Sequence, residues 1–253
     1  MIMSSHITQQ VSQGVLVLTF NRPEKRNALT QEMYQSLTDA LEQASQNDEI
    51  RVVMFQGASN CFTAGNDLKD FLAMNQPPES LPVVHFLRAL MYFEKPLVAS
   101  VTGAAVGIGT TLLLHCDLIY AAEDSRFQLP FTQLGLVPEA GASVLLPQLA
   151  GYPRAAELLF LGDMFDTETA REIGLINKVL DDDDVLSYGL QQAQRLAAMP
   201  SEAIYASRKL LRQPRRKALK RSLEAELTCF FNALASDASK SAIEKALKRV
   251  SGE

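Results

Sequence analysis

The chain has 253 residues, 21% of them charged and 47% hydrophobic, with a formal net charge of −5. That length bounds one domain with a sizeable core, or a domain plus a helical appendage, and the acidic balance argues against a general nucleic-acid binder. Cys61, Cys116 and Cys229 fall at no disulfide or metal spacing, which suits a reducing compartment. The opening MIMSSHITQQ lacks the basic start and apolar core of a signal peptide, and the closing VSGE is no peroxisomal address, so a cytoplasmic location is expected.

In chain order, residues 7–11 and 15–20 flank Ser-Gln-Gly and read as a hairpin. Asn21-Arg22-Pro23 breaks the second strand. Thr30 begins a helix that places Met33, Leu37, Ala40, Leu41 and Ala44 on one face, and Asn47 and Asp48 end it. Residues 51–56 form a strand closed by Gly57. After ASNCFTA come Gly65, Asn66 and Asp67, with Asp67 as N-cap of a short helix from Leu68. A loop at 75–78 leads into a helix over 81–93.

Residues 97–101 are an unbroken apolar run, as expected of a strand buried on both faces. Gly103, Gly107 and Gly109 follow, then the apolar stretch 110–114: strand, tight loop, buried helix. The region 97–122 is long enough to raise a membrane span, but its glycines, threonines, His115 and Asp117 favour buried core. Strands follow at 118–121 and 126–129. Gly151 and Pro153 separate helices over 141–149 and 154–161, and a helix from Thr167 is closed by Gly174. Asp181 to Asp184 is a solvated acidic turn. From Arg195 onward the chain reads as helices broken at Pro200 and Pro214, with 13 Lys/Arg against 6 Asp/Glu, so this part is basic and the remainder acidic. RNA binding by the basic segment is disfavoured, because no aromatic pattern is interleaved with its charge.

A glycine-rich loop entering a helix points backbone N–H groups at a negatively charged oxygen. A phosphate loop of the Gly-Lys-Ser/Thr type is excluded, since no lysine lies between Lys95 and Lys178. A dinucleotide fingerprint starting at Gly107 would need a glycine where Leu112 stands. One remaining reading is a loop packed tightly on a neighbouring strand. The other draws on the second strand–loop–helix unit at Gly65: two such units, each contributing one N–H to the same point, would make an oxyanion hole.

The segments NRPEKRNAL, CFTAGNDLKDF, GAAVGIGTTLLLHCDLIYA and LGLVPEAGAS, spanning nearly the whole chain, resemble the crotonase (enoyl-CoA hydratase/isomerase) family. The resemblance implies an α/β spiral of repeated ββα units over residues 1–195, carrying the acyl-CoA site. It also implies a C-terminal helical region, 196–253, that mediates trimerisation. The substrate would be an acyl-CoA, coenzyme A being part of it, with no separate cofactor, metal, nucleic-acid or membrane partner, and the chain would self-associate as a homotrimer or hexamer. Asn66 and Ile108 would supply the oxyanion N–H groups. Ala64, Gly65, Asp67, Leu68, Gly107 and Leu136 would be among the substrate-binding residues. Lys25 or Arg26 would meet a coenzyme phosphate and the Ala28 backbone the adenosine side, although a solvated turn is the simpler account of either basic residue taken alone. Phe71, Leu72, Phe86 and Leu90 would line the acyl pocket, or else simply pack in the core.

Family hydratases use two glutamates, and at those positions this chain carries Thr111 and Phe131, neither able to act as acid or base. One carboxylate does stand in a family position, Glu139, as in the Δ3-Δ2-enoyl-CoA isomerase branch. Leu136, Val137, Pro138 and Ala140 surround it, and such a setting would raise its pKa by desolvation. The bland reading makes Glu139 a first-turn helix residue favoured by the dipole. The expectation is therefore a double-bond isomerase using Glu139 as proton shuttle. Another thioester-enolate reaction and a non-catalytic acyl-CoA-binding member are the alternatives. The three histidines, His6, His85 and His115, show no metal spacing.

Overall fold

The structure is a computed structural model that describes residues 6–74 and 76–251. The readings that involve the first five residues, Asn75, Gly252 and Glu253 lie outside the described residues.

Strands β1 (Ile7–Ser12) and β2 (Val15–Phe20) form the antiparallel hairpin. Helix α1 (Gln31–Gln46) starts at Thr30, whose hydroxyl accepts the Met33 N–H, and it ends where Lys95 Nζ donates to the carbonyls of Ala44, Asn47 and Ile50 at 2.7–2.8 Å. Then come β3 (Val52–Gly57), α2 (Leu68–Leu72), α3 (Pro82–Tyr92), β4 (Leu97–Val101), β5 (Ala104–Val106) and α4 (Ile108–Thr111). The expected apolar helix at 110–114 is divided: α4 is a single turn, and Leu112–His115 tightens into 3-10 geometry.

Strands β6 (Leu118–Ala122) and β7 (Arg126–Gln128) precede α5 (Ala142–Ala150) and α6 (Tyr152–Leu161). The chain continues through β8 (Phe165–Asp166), α7 (Thr167–Glu172), β9 (Lys178–Leu180), α8 (Val185–Ala197), α9 (Ser201–Leu234) and α10 (Asp237–Ser251).

The large sheet has the order β1-β2-β3-β4-β6-β9 and is parallel from β2 onward; a small sheet β5-β7-β8 stands beside it. The passes that begin at β4 and β6 each visit the large sheet, then the small sheet, then a helix, which is the spiral of ββα units. Strands enclosed this way are apolar on both sides. In β2, Leu16, Leu18 and Phe20 face the main core, while Val15 and Val17 face a second core under α8. Helix α8 packs so closely that a Cβ on Gly189 would lie 1.9 Å from Ser100 Oγ.

Pro214 does not break the C-terminal helix: α9 runs unbroken for 34 residues. Proline removes one donor and crowds the carbonyl four residues earlier, and both Pro214 and Leu210 lie on an exposed stretch of the helix, where solvent is at hand for the unpaired carbonyl. Pro200 does mark a boundary, standing as N-cap of α9.

Candidate active site

Three segments lie side by side near the C-terminal ends of β2, β3 and β4. Residues 26–29 run along 64–67 through Ala64 N–H to Arg26 O (2.9 Å), Leu29 N–H to Gly65 O (2.8 Å) and Asp67 N–H to Leu29 O (2.8 Å). On the other side, Thr63 N–H bonds Ala104 O (2.9 Å) and Val106 N–H bonds Thr63 O (3.0 Å). The first segment is locked by Asn27, fully buried with φ +56°. Its side chain accepts the Arg22 N–H (2.8 Å) and donates to Ala58 O (2.9 Å) and Cys61 O (2.6 Å). Sequence reasoning passed over Asn27; its place in NRPEKRNAL was the available signal.

Gly65 has φ +89°, and a Cβ there would lie 2.7 Å from Val106 O and 4.0 Å from the Gly107 N. The two glycine-marked turns therefore touch backbone to backbone. Gly107, at φ +57° and ψ −117°, turns the chain into α4, and its own N–H is spent on Gln128 O (2.9 Å). Among the described residues, neither the Asn66 N–H nor the Ile108 N–H meets a backbone acceptor. Two unspent N–H groups on abutting turns suit an oxygen that gains negative charge.

Asp67 caps α2 by accepting the N–H groups of Lys69 (3.0 Å) and Asp70 (3.1 Å), and Arg22 Nη1 meets its other oxygen at 2.7 Å. Burial opposes the charge on Asp67, but the Arg22 hydrogen bond and the two backbone donors outweigh it and hold the carboxyl below its ordinary value. Asp67 is thus committed to the frame of the turn. Ala64 and Leu68, half-buried, flank the same turn.

Glu139 is only 4% exposed and sits in the loop before α5, so it is not a first-turn helix residue. Its Oε1 accepts from Thr111 Oγ1 at 3.3 Å, which brings the expected base beside the helix that follows the glycine loop. Burial, and next the negative charge of Glu226, push the carboxyl up to about 8 against the opposing Thr111 hydrogen bond. Leu136 is buried nearby in sequence, and Phe131 is buried in the main core.

Two further side chains complete this environment, and sequence reasoning missed both. Tyr34, fully buried on α1, donates its hydroxyl to Asn66 Oδ1 and lies close enough to Glu139 for that carboxyl to raise its pKa, after desolvation. Glu226, on α9, accepts from the N–H groups of Gly141 (2.6 Å) and Ser143 (2.9 Å). Tyr34 reads in sequence as a core aromatic and Glu226 as one charge on a solvated helix.

The remaining expected residues separate. Phe71 is buried against Phe230, ring centroids 5.7 Å apart, and Leu72 is half-buried on the same short helix. Phe86 and Leu90 are fully buried in the main core, Phe86 against Tyr34. Lys25 and Arg26 are exposed and Ala28 is half-buried at the edge of the three-segment array. Among the described residues no group of His, Cys, Asp and Glu is arranged to hold a metal, and no helix is long and apolar enough to cross a membrane.

The family model for enoyl-CoA hydratase/isomerase matches residues 10–250. The chain is 37% identical over 206 residues to 1,2-epoxyphenylacetyl-CoA isomerase of Escherichia coli (strain K12), covering 79% of each chain. It is 35% identical to 2,3-dehydroadipyl-CoA hydratase of the same organism, with 86% of each covered. Among solved structures it is similar to an enoyl-CoA hydratase/isomerase from Pseudoalteromonas atlantica T6c, with TM-score 0.92, 36% identity and coverage of 97% of this chain and 98% of that one. The spiral and the segments that build its paired turns thus have a common origin with these acyl-CoA proteins: the chain belongs to the enoyl-CoA hydratase/isomerase (crotonase) family.

Proposed function

We propose that this enzyme shifts the double bond of a 3-enoyl-CoA to the 2-position, with Glu139 carrying the proton. The observation that supports this most is that Glu139 is a buried carboxyl in a family position while the two hydratase positions carry none. Thr111 and Phe131 stand where a hydratase pair would, while among the described residues the Glu139 side chain has only the Thr111 hydroxyl as a hydrogen-bond partner. Ionised Glu139 takes a proton from C2 of the thioester. The negative charge moves onto the thioester oxygen, which faces the N–H groups of Asn66 and Ile108. The same carboxyl returns the proton at C4, leaving a conjugated 2-enoyl thioester. One base serves both transfers, so no second acid is needed.

A hydratase relative at 35% identity and an isomerase relative at 37% leave the reaction to the site chemistry. Lys25 and the basic C-terminal helices supply positive charge for the coenzyme phosphates, and Ala28 lies beside that path. Self-association as a trimer or hexamer belongs to the same reading. Tyr152, Phe160, Leu161, Met164 and Leu211 expose between 56% and 81% of their surface, an apolar display that a second copy would cover. Sedimentation showing a stable monomer would refute that part.

The decisive test follows 3-enoyl-CoA isomerisation and 2-enoyl-CoA hydration in parallel, for wild type and E139Q. Isomerisation that collapses in E139Q with negligible hydration supports the reading. Rapid hydration, or isomerisation that survives in E139Q, overturns it.

A further inference from the structure

The N-cap of α5 is Gly141, which has no side chain to cap the first-turn N–H groups. A carboxylate from a residue 85 positions away fills that role. Glu226 Oε2 accepts from Gly141 N–H at 2.6 Å and Oε1 from Ser143 N–H at 2.9 Å, while Ser222 Oγ donates to Oε1 at 3.2 Å. Glu226 is only 6% exposed, and among the described residues neither it nor Glu139 is in a salt bridge.

The capped N–H of Gly141 lies two residues beyond Glu139. Between them Ala140 takes φ +58°, a left-handed conformation unfavourable for a residue with a Cβ, and its carbonyl accepts from His115 Nε2 at 2.7 Å. Burial holds the His115 ring neutral, its pKa down at about 3, and a carbonyl partner requires the proton on Nε2. The segment carrying the base is therefore gripped from both sides, by His115 from the glycine-loop unit and by Glu226 from the C-terminal helix.

We propose that Glu226 is a positioning residue for Glu139: its carboxylate, held as a remote cap of α5, fixes the Glu139–Ser143 loop and with it the place of the Glu139 carboxyl. The inference rests on Glu139 being the base. A bidentate grip on a strained loop gives the geometric precision that proton transfer requires. The charge of Glu226 adds a second effect. Burial raises both carboxyls; the Ser143 and Gly141 N–H groups and the Ser222 hydroxyl oppose that rise at Glu226, whereas at Glu139 Thr111 does. Tyr34 is the other titratable group facing Glu139, and it stays neutral.

The test uses the full chain with carboxyl-13C-labelled glutamate, titrated by NMR without substrate. The Glu139 signal is assigned by its loss in E139Q. The E226Q variant removes the charge and one acceptor; the Glu139 midpoint is expected to fall by about one pH unit or more, with kcat for isomerisation down about tenfold and KM little changed. An unmoved midpoint in folded E226Q overturns the proposal, even if thermal stability drops. E226D keeps the charge but withdraws it from Gly141 and Ser143. It is expected to hold the midpoint near wild type while kcat falls several-fold, and unchanged kcat overturns the positioning role. Because the titration needs no turnover, absence of isomerisation in wild type would sink the proposed reaction and leave the Glu226 result readable.

Discussion

The two halves of the proposed site, the paired glycine turns and the Glu139 loop, are built by opposite means. The proposed donors, Asn66 N–H and Ile108 N–H, belong to the backbone. Their placement follows from glycines in adjacent turns and from parallel hydrogen bonds between neighbouring segments. Glu139 is a side chain in a strained loop, and its surroundings come from distant parts of the chain: Thr111, His115 and Glu226. A backbone donor site tolerates substitution at its own positions provided the turn survives. A buried carboxyl depends on each neighbour's identity.

Four experiments would break or sharpen this contrast. The largest effect is expected from E139Q, a loss of about 10²–10⁴-fold in isomerisation rate with acyl-CoA binding by calorimetry retained; a change of only a few-fold would deny Glu139 its role. Next is G65A. Its φ of +89° and the 2.7 Å approach to Val106 O both exclude a Cβ, so the turns must part, and a rate loss of about 10²-fold is expected. By contrast, Asn66→Ala, which keeps the N–H, should cost far less than G65A. Equal losses would mean that the Asn66 side chain, not its backbone, matters.

The third is a pH dependence. Proton abstraction requires ionised Glu139, so kcat/KM should rise with pH through about 8. Stability runs the other way. A carboxyl whose folded pKa is raised contributes fully below its unfolded value, and that contribution is lost as pH climbs to the folded value. E139Q should therefore be the more stable protein, by a margin that grows from about pH 4.5 to about 8 and is flat above, reaching on the order of a few kcal/mol in urea unfolding. A margin independent of pH would show that Glu139 is not held protonated. The smallest effect is expected from Y34F, which keeps the ring against Phe86 but removes the bond to Asn66. About 1 kcal/mol of stability and a few-fold in rate are the expected losses, read by unfolding and steady-state kinetics.

The same contrast explains what was legible in the sequence. The inner strands β2, β3, β4 and β6 of the large sheet announce themselves as short apolar runs because both faces are covered. Gly65 and Gly107 announce the turns because few other residues take those angles. Glu139 is legible only through LGLVPEAGAS as a family segment, since its burial depends on packing that local pattern does not encode. Glu226 and Tyr34 are invisible for the same reason: one is a glutamate in a charged helix, the other an aromatic on an apolar helical face, and tertiary partners alone distinguish them. Pro214 misleads because proline's cost depends on whether the carbonyl it strands is exposed. Here it is.

The bridges that join Leu29 to Asn66 and Thr63 to Ala105 also govern how the molecule comes to be active. Each closes a parallel crossover of roughly forty residues, and such closures cost entropy before any contact repays it, which makes them slow. The proposed donor pair is thus absent until these bridges close, and the Glu139 loop is not gripped until α9 docks. Turnover during refolding should lag behind the recovery of helical signal, making enzymatic activity a clock for completed assembly of the fold.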